Sequence, residues 1–303
     1  MNGIGSEIGA VDFVTIQDKA QSLLGTGSGT RGYGQTVQSA DVFTGNTITK
    51  AQWDLLRYDI VNIRYHQDGD IPPIVTVNVG DLIGYGAGSP NSNYDTLLET
   101  AIANRFKISP STSVINSVGS ATYTSAWSNS ATFTLTVTFA DADQARYFFN
   151  SGGKIRLVTT IAGGSASAQQ NAWTNLLNAV GTQSFGADTH PTFNYYTMTD
   201  QYQAFFQQSL STPYSANNYK LEAKTDVADN STGTATKVYI KVTLSDPYVD
   251  PDPPGGPTFA PSDSITGTMT ISVEELKASG SLIPSGTFNI VSPTYSLSAI
   301  TAS

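Results

Sequence analysis

Hydrophobic residues recur at two different periods in the two parts of this chain, which limits the folds open to it. Up to about residue 115 they recur at three- and four-residue steps, typical of a buried helix face, as in Trp53, Leu56, Ile60 and Ile63. Further on they alternate with polar residues, typical of a half-buried strand, as in SATFTLTVTF at 130–139. The sequence therefore predicts an α+β protein, with a helical N-terminal region followed by an antiparallel β-sandwich-like domain with inserted helices.

Three helices are predicted in the first region, which we delimit as a mainly helical assembly region at 1–115. They lie in DFVTIQDKAQSLLG, TKAQWDLLRYDIVNIRYHQDG and NYDTLLETAIANRFKI. Asp12 is a candidate N-cap for the first helix, Thr49 caps the second, and Gly69 can end the second in a left-handed conformation.

The second region, at 116–303, is predicted to be β-rich. DADQARYFFNSGG and SAQQNAWTNLLNAVG are the inserted helices, and NYKLEAKTDV and TKVYIKVTLSD form an antiparallel pair. KIRLVTTIAGG and SITGTMTISVEEL are further strands. The segment 246–262 carries six prolines, so it is expected to be an extended arm that can reach a neighbouring subunit.

The stretch GTGSGTRGYGQ at 25–35 raises the question of phosphate binding. A phosphate-binding loop needs a lysine after its last glycine and a strand before it, whereas this stretch has no lysine and follows a predicted helix. We therefore expect an ordered connector whose glycines take positive φ, fixed by Arg31 and Tyr33 against the sheet domain or a neighbouring subunit. The candidate assembly contacts are Arg31, Tyr33, Pro253 and Pro254.

Histidines and arm carboxylates give little sign of a metal site. His66 and His190 lack ligand spacing to each other, and His66 is expected to be a cation at a helix C-terminus. Asp246, Asp250 and Asp252 lack the spacing of a calcium loop, so we interpret them as solvated acids of the arm.

Glu274 and Glu275 are adjacent on a predicted strand and should face opposite sides, which makes them a poor acid–base pair. No nucleophile motif stands in the right context either, so the chain is predicted not to be an enzyme and to have no catalytic, cofactor or metal residues. The aromatic stretch TFNYYTMTDQYQAFFQQ at 192–208 can bind sugars, but core or subunit-interface packing is the favoured interpretation.

Charge and composition exclude further classes of protein. Net charge is −9 and the 15 lysines and arginines are scattered along the sequence, so nucleic acid is a poor candidate partner. There is no cysteine, and no apolar run is long enough for a membrane span. Charged residues make up only 13% of the chain, which suits a surface that meets other proteins.

Four stretches, in order within residues 10 to 245, suggest a family: GTGSGTRGYGQTVQS, ITKAQWDLLRYDIVNIRYHQDG, RYFFNSGGKIRL and AWTNLLNAVGTQSF. Together they resemble virion structural proteins of tailed phages, especially phages of cyanobacteria. The resemblance implies a tail-associated particle component without enzymatic activity, at the neck, baseplate or fibre attachment. Its expected partners are other tail or neck proteins and further copies of itself. The alternative is a host-surface polysaccharide-binding adhesin.

Overall fold

A computed structural model describes residues 10–43, 45–74, 76–78, 93–165, 167–248 and 264–303. The helices in this part of the chain are α1 (Ala10–Leu24), α2 (Lys50–Asp68), α3 (Asn93–Ala103), α4 (Ala142–Asn150) and α5 (Ala168–Val180). The strands are β1 (Ser113–Tyr123), β2 (Ser130–Thr138), β3 (Lys154–Ala162), β4 (Gln183–Phe185), β5 (Gln203–Ser209), β6 (Asn218–Thr225), β7 (Lys237–Ser245), β8 (Thr268–Ala278), β9 (Thr294–Leu297) and β10 (Thr301–Ala302). The protein is therefore of the predicted α+β class.

The caps predicted for α2 are confirmed. The Thr49 side chain accepts from the Gln52 amide, and the Gln52 side chain accepts from the Thr49 amide, so two free donors at the helix start are satisfied. Gly69 ends the helix at φ 82°, and its amide donates to the Tyr65 carbonyl. The N-cap predicted for α1 is wrong: the helix already begins at Ala10, and Asp12 lies in its first turn, where a carboxylate favours the helix dipole.

The strands form two antiparallel sheets. One has the order β1-β8-β3-β4, and the other has the order β10-β2-β7-β6-β5, with β9 also pairing with β2. The alternation predicted for β2 is confirmed, since Phe133, Leu135 and Val137 are fully buried. The sheets face each other, because Thr159 of β3 and Tyr219 of β6 join their hydroxyl groups at 2.9 Å in the interior.

The helical region and the sheets share one hydrophobic core. Polar contacts also cross between them: Asn62 of α2 donates to the Ile283 carbonyl at 3.0 Å and accepts from the Ile283 amide at 2.7 Å. The first strand begins at Ser113, close to the predicted boundary at residue 115. The helical region is consequently held on the β-rich region by direct hydrogen bonds from α2 to the connection between β8 and β9, as well as by apolar packing.

Candidate functional site

The glycine loop at 25–35 is held by side chains that reach it from α4. The Asn150 amide nitrogen donates to the carbonyl oxygens of Gly29, Arg31 and Gly32 at 3.2, 3.0 and 3.2 Å. Arg146 donates to the Thr26 carbonyl at 2.7 Å. Because Asn150 is fully buried, these bonds form in the interior, where an unpaired carbonyl is costly. The prediction of an ordered connector is therefore confirmed.

Two glycines of the loop are required by close approach as well as by backbone conformation. Gly32 has φ 97°, and a β-carbon there would lie 2.1 Å from the Thr26 carbonyl oxygen. Gly34 has φ 67°, and a β-carbon there would lie 2.4 Å from the Tyr147 ring. Positive φ, predicted from the glycine content, is confirmed at these positions.

Tyr33 is one anchor of the loop. It is fully buried, donates its hydroxyl to the Arg105 carbonyl at 2.7 Å, and accepts from the Gln67 amide nitrogen at 2.9 Å. Burial raises the pKa of its hydroxyl. Its ring packs edge-on against His66, with ring centroids 5.1 Å apart. The prediction that Tyr33 is an anchor is therefore confirmed, but its hydrogen bonds fix the loop to the helical region of its own chain and not to the sheet domain.

The Arg31 side chain does not anchor the loop to the sheet domain, which was one of the two surfaces predicted for it. This side chain is exposed, and the contacts of Arg31 are made by its backbone: the amide donates to the Ser28 carbonyl at 3.1 Å, and the carbonyl accepts from Asn150. Its contact with a neighbouring subunit stays a prediction. Pro253 and Pro254, with most of the proline-rich arm, lie outside the described residues. Since the loop packs on its own chain, its length is no argument for a partner.

His66 is buried and neutral, so the prediction of a helix-end cation is wrong. Its Nε2 lies 3.0 Å from the Ser151 carbonyl oxygen, and its ring stacks on Phe288 at 4.3 Å. Burial lowers the pKa of His66 to about 4. His190 instead accepts from the Thr192 and Phe193 amides at 3.2 Å each through Nδ1. Both histidines therefore have structural contacts.

Asp246 is also placed differently from the prediction of a solvated acid. It is only 1% exposed and accepts from the Gln169 side chain at 2.7 and 2.8 Å and from the Trp173 ring nitrogen at 2.9 Å. The carboxylate thereby joins the end of β7 to α5. Asp250 and Asp252 lie outside the described residues. Within the part of the chain that is described, no group of three histidine or acidic residues is placed to hold a metal ion.

Lysines cluster on the outer face of the six-stranded sheet, which corrects the prediction of scattered cations. Glu222 lies 3.1 Å from the Lys220 ammonium and 2.7 Å from that of Lys241. The ammonium groups of Lys241 and Lys224 lie 4.5 and 5.1 Å from the centre of the Tyr202 ring. Alternate residues of β6 lie on one face of the sheet, because side chains of a strand repeat every two residues. Glu222 of β6 pairs with Lys241 of β7, so Lys241 lies on the same face.

Aromatic residues of the 192–208 stretch pack mainly in the core, as the favoured interpretation predicts. Tyr195 lies in a short 3-10 turn, is fully buried and stacks on Phe149 at a centroid distance of 4.2 Å. Phe205 of β5 is also buried. These rings are therefore not free to stack on a sugar.

The open edge of the four-stranded sheet is the most unusual surface. β1 occupies that edge and, among the strands of the described part, pairs only with β8. Its eleven residues, SVINSVGSATY, include no charged residue and no proline, and Ile115 is 53% exposed. The sequence did not reveal β1, because none of its residues is fully buried and its apolar residues do not alternate strictly with polar ones. The signal that the sequence did offer for β1 is its run of eleven residues without a charged side chain.

No protein family, curated protein or solved structure matches this chain. No helix in the described part is long and apolar enough to cross a membrane.

Proposed function

We propose that this chain is a structural subunit of a phage virion tail, at the neck, baseplate or fibre attachment, and that it acts by protein–protein assembly. The observation that carries the proposal is the open β1 edge. The resemblance of four stretches to tail-associated virion proteins indicates the kind of particle.

An edge strand presents a row of unpaired backbone donors and acceptors that invites pairing with another chain. Proteins that stay monomeric usually protect such edges with lysine, proline or a short strand. β1 has eleven residues, no charge and no proline, and its one interruption is a register shift between Ser117 and Gly119. A strand of a second copy or of a neighbouring tail protein can extend the sheet here.

Sedimentation velocity of the purified chain tests this assignment of the edge. Ile115→Lys places a charge on β1 and should weaken self-association, or association with a neighbouring tail protein, at least tenfold. Ile71→Lys is the matched control, because Ile71 lies outside the sheets and is 56% exposed, against 53% for Ile115. It should associate like the parent chain.

Location in the particle needs a separate measurement. An antibody against this chain should label the tails of purified virions in electron micrographs, at several copies per tail. A chain that is absent from virions and stays monomeric with every tail protein would overturn the proposal. If Ile115→Lys and Ile71→Lys weaken association equally, the assignment of β1 as the assembly edge is wrong.

A further inference from the structure

A cleft opens between β1 of the four-stranded sheet and β9 of the other sheet. Residues 116–118 of β1 form one wall and residues 292–295 form the other, with Glu275 of β8 at the floor. The cleft is open to solvent and has a volume of about 430 Å³.

Glu275 departs from the pattern of its strand. The other inward residues of β8 are Met269, Ile271 and Val273, all apolar and buried, whereas Glu275 places a carboxyl group on the same face at 2% exposure. Burial of a carboxylate is costly unless other groups compensate it. Residues that break a local folding rule in this way concentrate at functional sites.

Three neutral donors hold the carboxylate at the floor of the cleft. Tyr295 donates its hydroxyl at 2.7 Å, Ser292 donates at 2.9 Å, and the Asn116 amide nitrogen lies at 3.4 Å. Burial and the nearby negative charge raise the pKa of Tyr295, so its hydroxyl stays a donor. A carboxylate has about four acceptor positions, so these three bonds leave capacity for a further donor.

The charge of the cleft selects the class of ligand. The Lys277 ammonium lies 3.8 Å from the Glu275 carboxylate and offsets its charge. The remaining polar lining consists of hydroxyl and amide groups, including those of Asn116 and Ser292, while Val118 and Pro293 add apolar surface. A neutral molecule with many hydroxyl groups and apolar C–H faces matches this combination.

The backbone of β1 is also irregular at the cleft. The pairing with β8 shifts between Ser117 and Gly119, so Val118 has no partner in the register. Bulges of this kind redirect side chains next to functional sites. The buried carboxylate, the cleft and the bulge therefore lie at the same place.

We propose that the cleft binds a neutral saccharide, with a sugar hydroxyl donating to Glu275 and the wall hydroxyls bonding to the other ring oxygens. The site belongs to the isolated chain and does not depend on assembly through β1.

The test is an NMR titration of the isolated, isotope-labelled chain with maltohexaose, cellohexaose, mannohexaose and chitohexaose. Hyaluronan hexasaccharide is the charged comparison. At least one neutral sugar should bind with a Kd of about 1 mM or tighter. The amide shifts should be confined to residues 116–118, 275 and 292–295.

Two substitutions on β1 provide a matched pair. Asn116→Phe, at the register partner of Glu275, fills the cleft and should weaken binding at least tenfold, whereas Ser120→Phe, at an exposed serine of β1 outside the cleft lining, should bind like the parent. Glu275→Gln should also weaken binding, and its spectrum shows whether the fold is kept.

Three results would overturn the proposal: no binding by any neutral sugar, tighter binding of hyaluronan, or equal effects of Asn116→Phe and Ser120→Phe. None of these results depends on sedimentation, so the saccharide site and the β1 assembly edge are tested by different measurements.

Discussion

Replacing Gly32 by alanine measures how much of the glycine loop's structure depends on close backbone packing. A non-glycine residue in a left-handed conformation costs about 1–2 kcal/mol. At Gly32 the new β-carbon would also lie 2.1 Å from the Thr26 carbonyl oxygen, so the backbone must move. Overpacking of this kind adds about 1–3 kcal/mol, so Gly32→Ala should lower the free energy of unfolding by about 2–5 kcal/mol.

Gly29 is the matched control in the same loop. It has φ 52°, but a β-carbon there would meet no atom of the described residues within 4 Å. Gly29→Ala should therefore cost only the conformational term, about 1–2 kcal/mol. Urea unfolding followed by the fluorescence of the three tryptophans gives both values. Equal losses for the two variants would show that the close approach to Thr26 is not part of the folded state.

Two further predictions concern buried polar groups. The pKa of His66 is lowered to about 4 from its usual 6.5, so the unfolded chain binds the extra proton between these values. Stability should therefore fall by up to about 1.4 kcal/mol per pH unit as pH drops from 6.5 towards 4. In urea unfolding from pH 7 to 5, His66→Gln should reduce this slope and His190→Gln should keep it; an unchanged slope in His66→Gln contradicts the assignment. Asn150→Ala removes the donor of three loop carbonyls and should cost about 2–4 kcal/mol, whereas Asn175→Ala, exposed on α5, should change stability by less than about 0.5 kcal/mol. Thermal melting compares the last two variants, and similar melting temperatures would contradict the proposed role of Asn150.

Elements with local signals were predictable. Thr49 and Gly69 mark the ends of α2 through caps that depend on neighbouring residues, and β2 shows its buried face by strict alternation. The opposite orientation of Glu274 and Glu275 also follows from the strand period: Glu274 pairs with Arg156 at 3.3 Å, while Glu275 is buried inward. In each case the determining contacts lie within a few residues or repeat with a fixed period.

Contacts between distant parts of the chain were not predictable. Nothing in the sequence around Asn150, at the end of α4, indicates its role. Only the folded chain brings it to carbonyl groups about 120 positions earlier. The same holds for Glu275, whose partner Tyr295 lies in a strand of only four residues. The helix-end position of His66 predicts a cation that the helix dipole favours, whereas the ring is buried and stacks on Phe288, which lies far along the chain.

The structure moves the case for assembly away from the glycine loop. Asn150, Arg146 and Tyr33 bind this loop within its own chain, so its order requires no partner. β1, in contrast, has no pairing strand along its outer edge in the described part of the chain. Its sequence also lacks the charges that would keep a second strand away. Substitutions in the loop should therefore affect folding before assembly. A charge at Ile115 should affect assembly while the core stays intact, because that side chain is 53% exposed.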